Sequence, residues 1–492
     1  MDTNRRDFLR NMACAALAAK AVGCTTAGSR LGFGAGAPMS GFRVAPMNRI
    51  RVGIVGCGGR GIAFAMRTLH FPFVELTALC DIKQSQIDRI QQNVTGEKRE
   101  EEYEKIGCLK GKHKPRAKEF LGPEAYKELC ESGLCDVIYN TTPINVHLPV
   151  CRHALNCGLH CMVEVEMTPE VEDNWELVEL AEKTRRHLMM LENCCYSEGE
   201  LLMFGLAKSG VLGEIEHGEA GYIHDCRALR FPKEAGAELE WRARDLGKKL
   251  KLEGNSYPTH GLGPVAQTMD INHGDAFDYL VSMSARGTGW IPFAEAKFGK
   301  DSELARLARE SSGYTGMNTT LIRTKREKTI MLQYQTSMPR PYSRMNLISG
   351  THGMAATYPT RVAFLEGDDL KNEAFKYFDE KKLEEVKAKY GSPLWKRCGK
   401  LAKECGGHMG IDFLMDMRWI YCLHEGLPLD IDVYDSATWS CLAGLTQRSV
   451  DNRCAAVDIP DFTRGGWKTA KPLGVIDCDV ERIGLKDESK EA

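Results

Sequence analysis

The chain has almost no net charge to offer: 65 lysines and arginines stand against 67 aspartates and glutamates, a formal balance of −2. A surface so balanced gives no electrostatic reason to expect nucleic acid or an acidic membrane as partner. It also lacks paired C-x-x-C knuckles, although it holds 19 cysteines, so neither a zinc ribbon nor a dithiol redox motif is written in the spacing. Free thiols in that number point to a reducing compartment, because exported proteins tend to pair theirs. No apolar run reaches the roughly 20 residues that a membrane-spanning helix needs. Internal repeats are missing, and no low-complexity block follows the first 46 residues. What remains is 492 residues, long enough for two domains and a large core.

The stretch that organises the rest is Arg51 to Gly61, RVGIVGCGGRG. Ile50 to Val55 reads as a buried strand, Gly56 to Gly61 fits G-x-G-x-x-G, and Ile62 to Leu69 continues as a helix. Gly56, Gly58 and Gly61 suit a tight turn whose backbone approaches a pyrophosphate, with the phosphates resting on free N–H groups at the helix start. The motif alone is weak. It gains from a second apolar strand, Val74 to Cys80, which ends on Asp81, an acid placed to accept hydrogen bonds from an adenosine ribose and so to favour NAD over NADP.

Further along, a helix to about Val94 precedes a charged stretch, Gly96 to Phe120, read as a solvated excursion. Asp136 to Thr141 is a strand, with Ile144, Asn145, Val146 and His147 just past its C-terminal end; His147 is either a ligand contact or the cap of the next helix. Leu159 to Val165 delivers Glu164, and Leu188 to Leu191 delivers Glu192 and Asn193, to the same edge. The alternation predicts an α/β unit over 47–192, a Rossmann doubly wound parallel sheet. From residue 214 the strands (Ile215–Ile223, Phe277–Ser284, Met317–Arg323, Thr329–Thr336, Leu347–Tyr358) lack regular helices between them. They predict a C-terminal α+β domain over 193–467, whose open, largely antiparallel sheet covers the nucleotide crevice. Asp432 to Arg448 reads as one helix, with residues 434–450 free to pack back on the Rossmann unit, and 468–492 reads as a tail.

Tyr257-Pro258-Thr259-His260 is the second informative run. A helix starting at Pro258 would put Tyr257 and His260 near one face, and a histidine at a helix N-terminus tends to stay neutral, which suits a general base. Taken alone such a pair is not specific. Tyr222, Arg242 and Tyr342 add aromatic and cationic groups of the kind that bind a sugar. His224 with Asp225, or His273, invite a metal, but no spacing supports a closed site and no metal is expected.

The N-terminus opposes the reducing compartment. Asn4 to Arg10, NRRDFLR, reads as a twin-arginine signal before a short apolar stretch, Met12 to Gly23. Ala21-Val22-Gly23-Cys24 loosely resembles a lipobox, which leaves a lipid anchor at Cys24 open. Residues 1–46 are thus signal and flexible leader of a periplasmic protein. A protein exported already folded carries its cofactor with it, and with no evident NAD pool outside, the chemistry should be redox-neutral.

GIVGCGGRG with Asp81 resembles the glucose–fructose oxidoreductase and inositol dehydrogenase family of two-domain NAD(P) proteins. Within it, MLENCCY (190–196), GYIHDCR (221–227), WRAR (241–244), YPTHGLGPVAQTMDINHG (257–274), MPRPYS (338–343) and GGHMGIDF (406–413) resemble the NAD-dependent α-N-acetylgalactosaminidases, glycoside hydrolase family 109, from about residue 50 to Trp467. The resemblance implies NAD contacts at Gly59, Arg60, Asp81, Ile144 to His147, Glu164, Val165 and Asn193. It implies sugar contacts at Tyr222, Arg242, Tyr257, Pro258, Thr259, His260 and Tyr342. The activity implied is release of terminal α-linked N-acetylgalactosamine from a glycan or glycoside, by oxidation at carbon 3, elimination, water addition and reduction. His260 and Tyr257 would work near carbons 2 and 3, and Tyr222 and Tyr342 around the leaving group or acetamido group. Two departures stand out. The family commonly has bulky aromatics at Ile144 and Val146, and a proline at Glu166. The dehydrogenase relatives typically carry, at Val165, the lysine that acts on an alcohol. An NAD-dependent sugar or polyol dehydrogenase, and a non-catalytic carbohydrate-binding relative, stay open as alternatives, as does a homo-oligomer.

Overall fold

The strand β1 (Ile50–Val55) is buried along almost its whole length and lies in the middle of the first sheet. The computed structural model describes residues 37–97, 111–231, 253–310, 316–365 and 376–490. The twin-arginine run, Cys24 and Arg242 fall outside the described residues. Around β1, the strands β2 (Val74–Asp81), β3 (Lys118–Leu121), β4 (Val137–Asn140), β5 (His160–Val163) and β6 (Leu188–Met190) pair in the order β3-β2-β1-β4-β5-β6, every pair parallel. Helices α1 (Gly59–Arg67), α2 (Gln84–Thr95), α3 (Ala125–Glu131), α4 (His147–Asn156) and α5 (Val171–Thr184) make the crossovers. The order turns back between β1 and β4, and ligands of such sheets bind beyond the strand ends at that point. The charged stretch expected to be a mere excursion supplies β3. Its four residues, none of them fully buried, sit on a sheet edge, where the alternation of a covered strand is not required.

After α6 (Glu198–Lys208) come β7 (Ile215–Ile223), α7 (Thr259–Thr268), β8 (Phe277–Ser284), β9 (Asn318–Thr324) and β10 (Thr329–Gln335). The strands β11 (Leu347–Gly350), β12 (Gly353–Ala356) and β13 (Arg361–Phe364) follow, then helices α8 (Pro393–Glu404), α9 (Ile411–Glu425), α10 (Val433–Ser440) and α11 (Leu442–Asp451), and last β14 (Val457–Asp458). The second sheet runs β13-β12-β11-β7-β10-β9-β8-β14. It is antiparallel except that β7 and β10 are parallel neighbours. The single strand expected over Leu347–Tyr358 is a tight hairpin of β11 and β12.

The helix expected over Asp432–Arg448 breaks at Cys441 because its halves serve two surfaces. On α10, Ser436 Oγ accepts from Met190 N at 2.9 Å and Ser440 Oγ from Met167 N at 3.0 Å, so this half sits on the Rossmann unit. On α11, Ser449 Oγ accepts from Ser282 N of β8 at 2.9 Å. Helix α9 is buried from Ile411 through Leu423, as a helix running through a core must be. It packs against α1, β1 and the segment after β6, in the same hydrophobic cluster as both sheets. The final segment is not loose either. Val480 and Ile483 are wholly buried, and Glu488 accepts from Lys400 N at 2.9 Å and Leu401 N at 2.8 Å, where non-helical Cys398 interrupts α8.

Candidate active site

The glycine loop joins β1 to α1. Gly56 has φ +93°, in the left-handed region, and a side chain there would meet the Thr141 backbone at 2.8 Å. A Cβ on Gly58 or Gly59 would meet nothing within 4 Å. Helix α1 has no side-chain cap and no acid in its first turn. Open space beside uncapped N–H groups at a helix start fits an anionic pyrophosphate. Asp81 ends β2 with one carboxylate oxygen accepting from Cys57 N at 2.7 Å and the other from Lys83 N at 2.9 Å, which fixes its position beside the loop. Together these features fit a dinucleotide.

The other expected cofactor contacts line the same edge. Ile144–Val146 form a partly exposed 3₁₀ turn after β4. The His147 ring is buried instead, with Nδ1 at 2.9 Å from the Glu166 carbonyl and Nε2 at 2.8 Å from the Thr142 carbonyl. Both nitrogens are occupied by main chain, so the ring ties two ligand-edge loops together and the residue as a whole is buried. Arg60 donates to Glu164 at 2.6 Å and to Asp412 at 2.8 Å, and Asn193 donates to the other oxygen of Asp412 at 2.6 Å. Burial disfavours the Asp412 charge, but the His408 hydrogen bond and the positive charges of Arg60 and Arg67 hold its carboxyl well below the usual range. Two residues expected to touch NAD, Arg60 and Asn193, are thus held by one anion from α9, and Arg60 links Glu164 to them.

The sugar candidates gather where β7 meets the start of α7. A Cβ on Gly261 would lie 2.4 Å from Gly221 N, so this glycine lets α7 rest directly on β7. That contact brings the ring centroids of Tyr222 and Tyr257 to 4.8 Å and of Tyr222 and His260 to 5.6 Å, and a bridge from Ser343 to Ile223 at the end of β7 sets Tyr342 5.9 Å from Tyr222. Pro258 caps α7 and Thr259 opens it, as expected of a helix beginning there. The Tyr257 hydroxyl lies 3.4 Å from His260 Nε2. His260 Nδ1 is 2.9 and 3.0 Å from the two oxygens of Glu192. Glu166, also buried, accepts from Thr259 Oγ1 at 2.9 Å.

Burial first, with neighbouring phenols and acids adding to it, pushes the hydroxyls of Tyr257, Tyr222 and Tyr342 up, so each is held as a neutral O–H donor. Burial would raise Glu192 as well, yet His260, Thr259 and the Cys194 N–H hold it below the usual carboxylate range. An ionised acceptor on Nδ1 fixes the His260 tautomer, leaving Nε2 as a lone-pair acceptor facing Tyr257. Two hydroxyl–imidazole pairs result, since Tyr222 Oη also lies 2.9 Å from His224 Nδ1.

Glu192, His224 and Asp412 stand among the candidate site residues, although sequence reasoning gave Glu192 only a place on the edge, His224 only a weighed metal role, and Asp412 none. Glu192 stands 68 positions from His260, and no local spacing signals such a pair. The motifs that carry His224 (GYIHDCR) and Asp412 (GGHMGIDF) were visible, but not the partners. His273, considered as a ligand, pairs at 3.2 Å with Asp435 in the capping box of α10. Tyr196 donates to Asp430 at 3.2 Å. Cys194 and Cys195 are core thiols, pushed well up by burial, and neither is in a disulfide.

Fold and site together define a nicotinamide-binding unit of the oxidoreductase type whose crevice is finished by a sheet domain. Residues 50–192 match the oxidoreductase family with NAD-binding Rossmann fold, and residues 196–469 match the glycosyl hydrolase 109 C-terminal domain. The chain belongs to glycoside hydrolase family 109, and it is an NAD-binding enzyme. It is 40% identical over 487 residues to a glycosyl hydrolase family 109 protein of Shewanella amazonensis, covering 96% of this chain and 99% of that one. It is 38% identical over 492 residues to an alpha-N-acetylgalactosaminidase of Shewanella oneidensis, with the same coverage. Among solved structures, levoglucosan dehydrogenase in complex with NADH and L-sorbose superimposes with a TM-score of 0.57 at 15% identity, over 84% of this chain and 100% of that one. The scyllo-inositol dehydrogenase of Lactobacillus casei with NAD(H) and scyllo-inositol gives 0.53 at 12%, over 83% and 99%. At such identities the likeness is one of fold.

Proposed function

We propose that this enzyme releases terminal α-linked N-acetylgalactosamine from glycans with no net oxidation. The observation that carries the reading is the array Tyr257–His260–Glu192 at the nicotinamide edge, combined with Val165 where the dehydrogenases place their lysine. NAD, when bound, supplies a reversible hydride acceptor for carbon 3 of the sugar. Gly56 to Gly61 and Asp81 would hold its pyrophosphate and ribose, and Ile144, Val146 and Asn193 would help to hold its nicotinamide portion. Tyr257 passes the hydroxyl proton of carbon 3 to His260 Nε2, and Glu192 balances the imidazolium that forms. Tyr222, backed by His224, donates to the departing glycosidic oxygen, and Tyr342, anchored by a 3.1 Å hydrogen bond from Arg344, packs against the acetamido group. The carbon-2 proton is lost as the glycosidic bond breaks and is restored once water adds at carbon 1; that water also replaces the proton carried off by the aglycone, and the hydride taken from carbon 3 is returned there, so no external electron acceptor is required.

The leader supports a place for this chemistry. Export through the twin-arginine route, with NAD already enclosed and Cys24 as a lipid anchor, fits the NRRDFLR leader and a reaction that regenerates its own cofactor. Purified mature protein, given an aryl α-N-acetylgalactosaminide and no added NAD, should release aglycone for many turnovers without accumulating NADH absorbance. NADH that rises in step with consumed substrate, and only with added NAD, would make it a dehydrogenase.

A further inference from the structure

Glu166 is wholly buried, and its Oε2 has no hydrogen-bond partner among the described residues. The other oxygen accepts from Thr259 Oγ1 at 2.9 Å and Thr259 N at 3.4 Å. No arginine or lysine among the described residues pairs with it; Arg60, the cation of this edge, is committed to Glu164 and Asp412. The groups around it include Glu192 from the end of β6, Tyr257 and Thr259 from the start of α7, and His147 from α4, with Glu164 acting on the same Tyr257. His147 meets only its main-chain carbonyl, and Glu192 is already the charged partner of His260. A buried carboxylate without a cation is costly, and two carboxylates that share a dry site do not both ionise. The acid with the imidazole partner keeps the charge; the other keeps the proton, and its unpartnered oxygen is where an O–H resides.

We propose that Glu166 is a positioning residue of the active site: a neutral carboxylic acid tied through Thr259 to the start of α7, leaving Glu192 the sole charged partner of His260. Burial, reinforced by the nearby charge of Glu192, pushes the Glu166 carboxyl well above the usual range, in agreement with the geometry. The inference rests on the reading of His260 as the base. When Glu166 ionises at high pH, a second negative charge stands beside Glu192, and the Thr259 link that orients α7 changes character. Ionisation of Glu166 therefore closes the active pH range from above. The chain thus carries a titratable group one position from Val165, where the dehydrogenase lysine is lost, but as an acid acting through its neighbours.

The test has two readouts on the full-length, NAD-loaded protein. Infrared difference spectra of wild type minus Glu166→Gln at neutral pH should show the carbonyl band of a protonated acid; the band pair of a carboxylate would overturn the proposal. This measurement needs no substrate, so its outcome stands whether or not the galactosaminide is cleaved. In the second, the alkaline limb of kcat/KM on the aryl α-N-acetylgalactosaminide should move up by about one pH unit or more in Glu166→Gln, with kcat affected more than KM. Glutamine satisfies Thr259 as glutamate does, so an unmoved limb would reduce Glu166 to a structural acceptor and refute the assignment. Glu166→Leu, neutral and of similar size, replaces the glutamine protein in both measurements if the latter does not fold.

Discussion

Two glycines of the same loop should fail in opposite ways when each is changed to alanine. At Gly58, φ is −71° and an added Cβ meets nothing within 4 Å, so the folded protein has room for a methyl group. The cost to the fold is the small preference for glycine over alanine at a helix N-cap, about 0.5 kcal/mol, a change in Tm of about 2 °C or less. That empty space is where a pyrophosphate approaches the backbone. A methyl there displaces it from two or so charge-assisted hydrogen bonds worth about 1.5 kcal/mol each, and 3 kcal/mol is roughly a hundredfold in affinity. At Gly61, by contrast, the Cβ would lie 2.2 Å from the Gly56 carbonyl oxygen, and forcing that contact costs about 1–3 kcal/mol before any ligand is present. The assay is thermal melting of each NAD-free protein, followed by calorimetric titration with NAD. Gly58→Ala should melt like wild type and bind NAD about a hundredfold more weakly; Gly61→Ala should melt lower. Gly58→Ala protein that binds NAD as tightly as wild type would refute this account of the loop.

Glu192→Gln should lower kcat by about a hundredfold or more while NAD stays bound, because His260 loses its counter-charge but not its neighbour in space; a loss below tenfold would remove Glu192 from the proton path. Asp412→Asn should cost about 3 kcal/mol or more in denaturant titrations, since Arg60 is left without one of its two acids in a buried setting. His273 is pushed up to about 9: burial acts against its charge, and Asp435, with Asp432 and Asp270, outweighs that. A folded value above the 6.5 of a free imidazole means the pairing stabilises the fold fully at acid pH and is lost as pH climbs through about 9. Stability should thus fall between neutrality and pH 10 in wild type and much less in His273→Gln, as melting at a series of pH values would register.

The strands of the first half were legible because apolar runs, turn glycines and terminal acids recur in a fixed rhythm. The YPTH run was legible because a helix start imposes local geometry on residues three apart. Neither signal reaches across the chain. Arg60 and Asp412 are separated by 352 positions and His260 and Glu192 by 68, so their pairing follows from which helix lies on which strand. Strand β3 was hidden because its edge position frees it from the alternation that marks a covered strand. Helix α9, buried along nearly its whole length, has no polar face to betray its period. The break at Cys441 was equally unreadable, since each half-helix on its own looks regular.

Helix α9 has a consequence for anyone who would cut this protein apart. Arg67 on α1 and Tyr139 on β4 are buried, and both direct their polar ends at Asp416, at 2.6 and 3.0 Å. Their acceptor lies 349 and 277 positions further along the chain. A fragment ending near residue 192 would expose a buried guanidinium and phenol to nothing, so the nucleotide unit is not a transplantable cassette. Chimaeras that graft a dehydrogenase sheet onto it would need to bring α9 along, because the nucleotide unit is completed only by a helix that follows the second sheet in the chain.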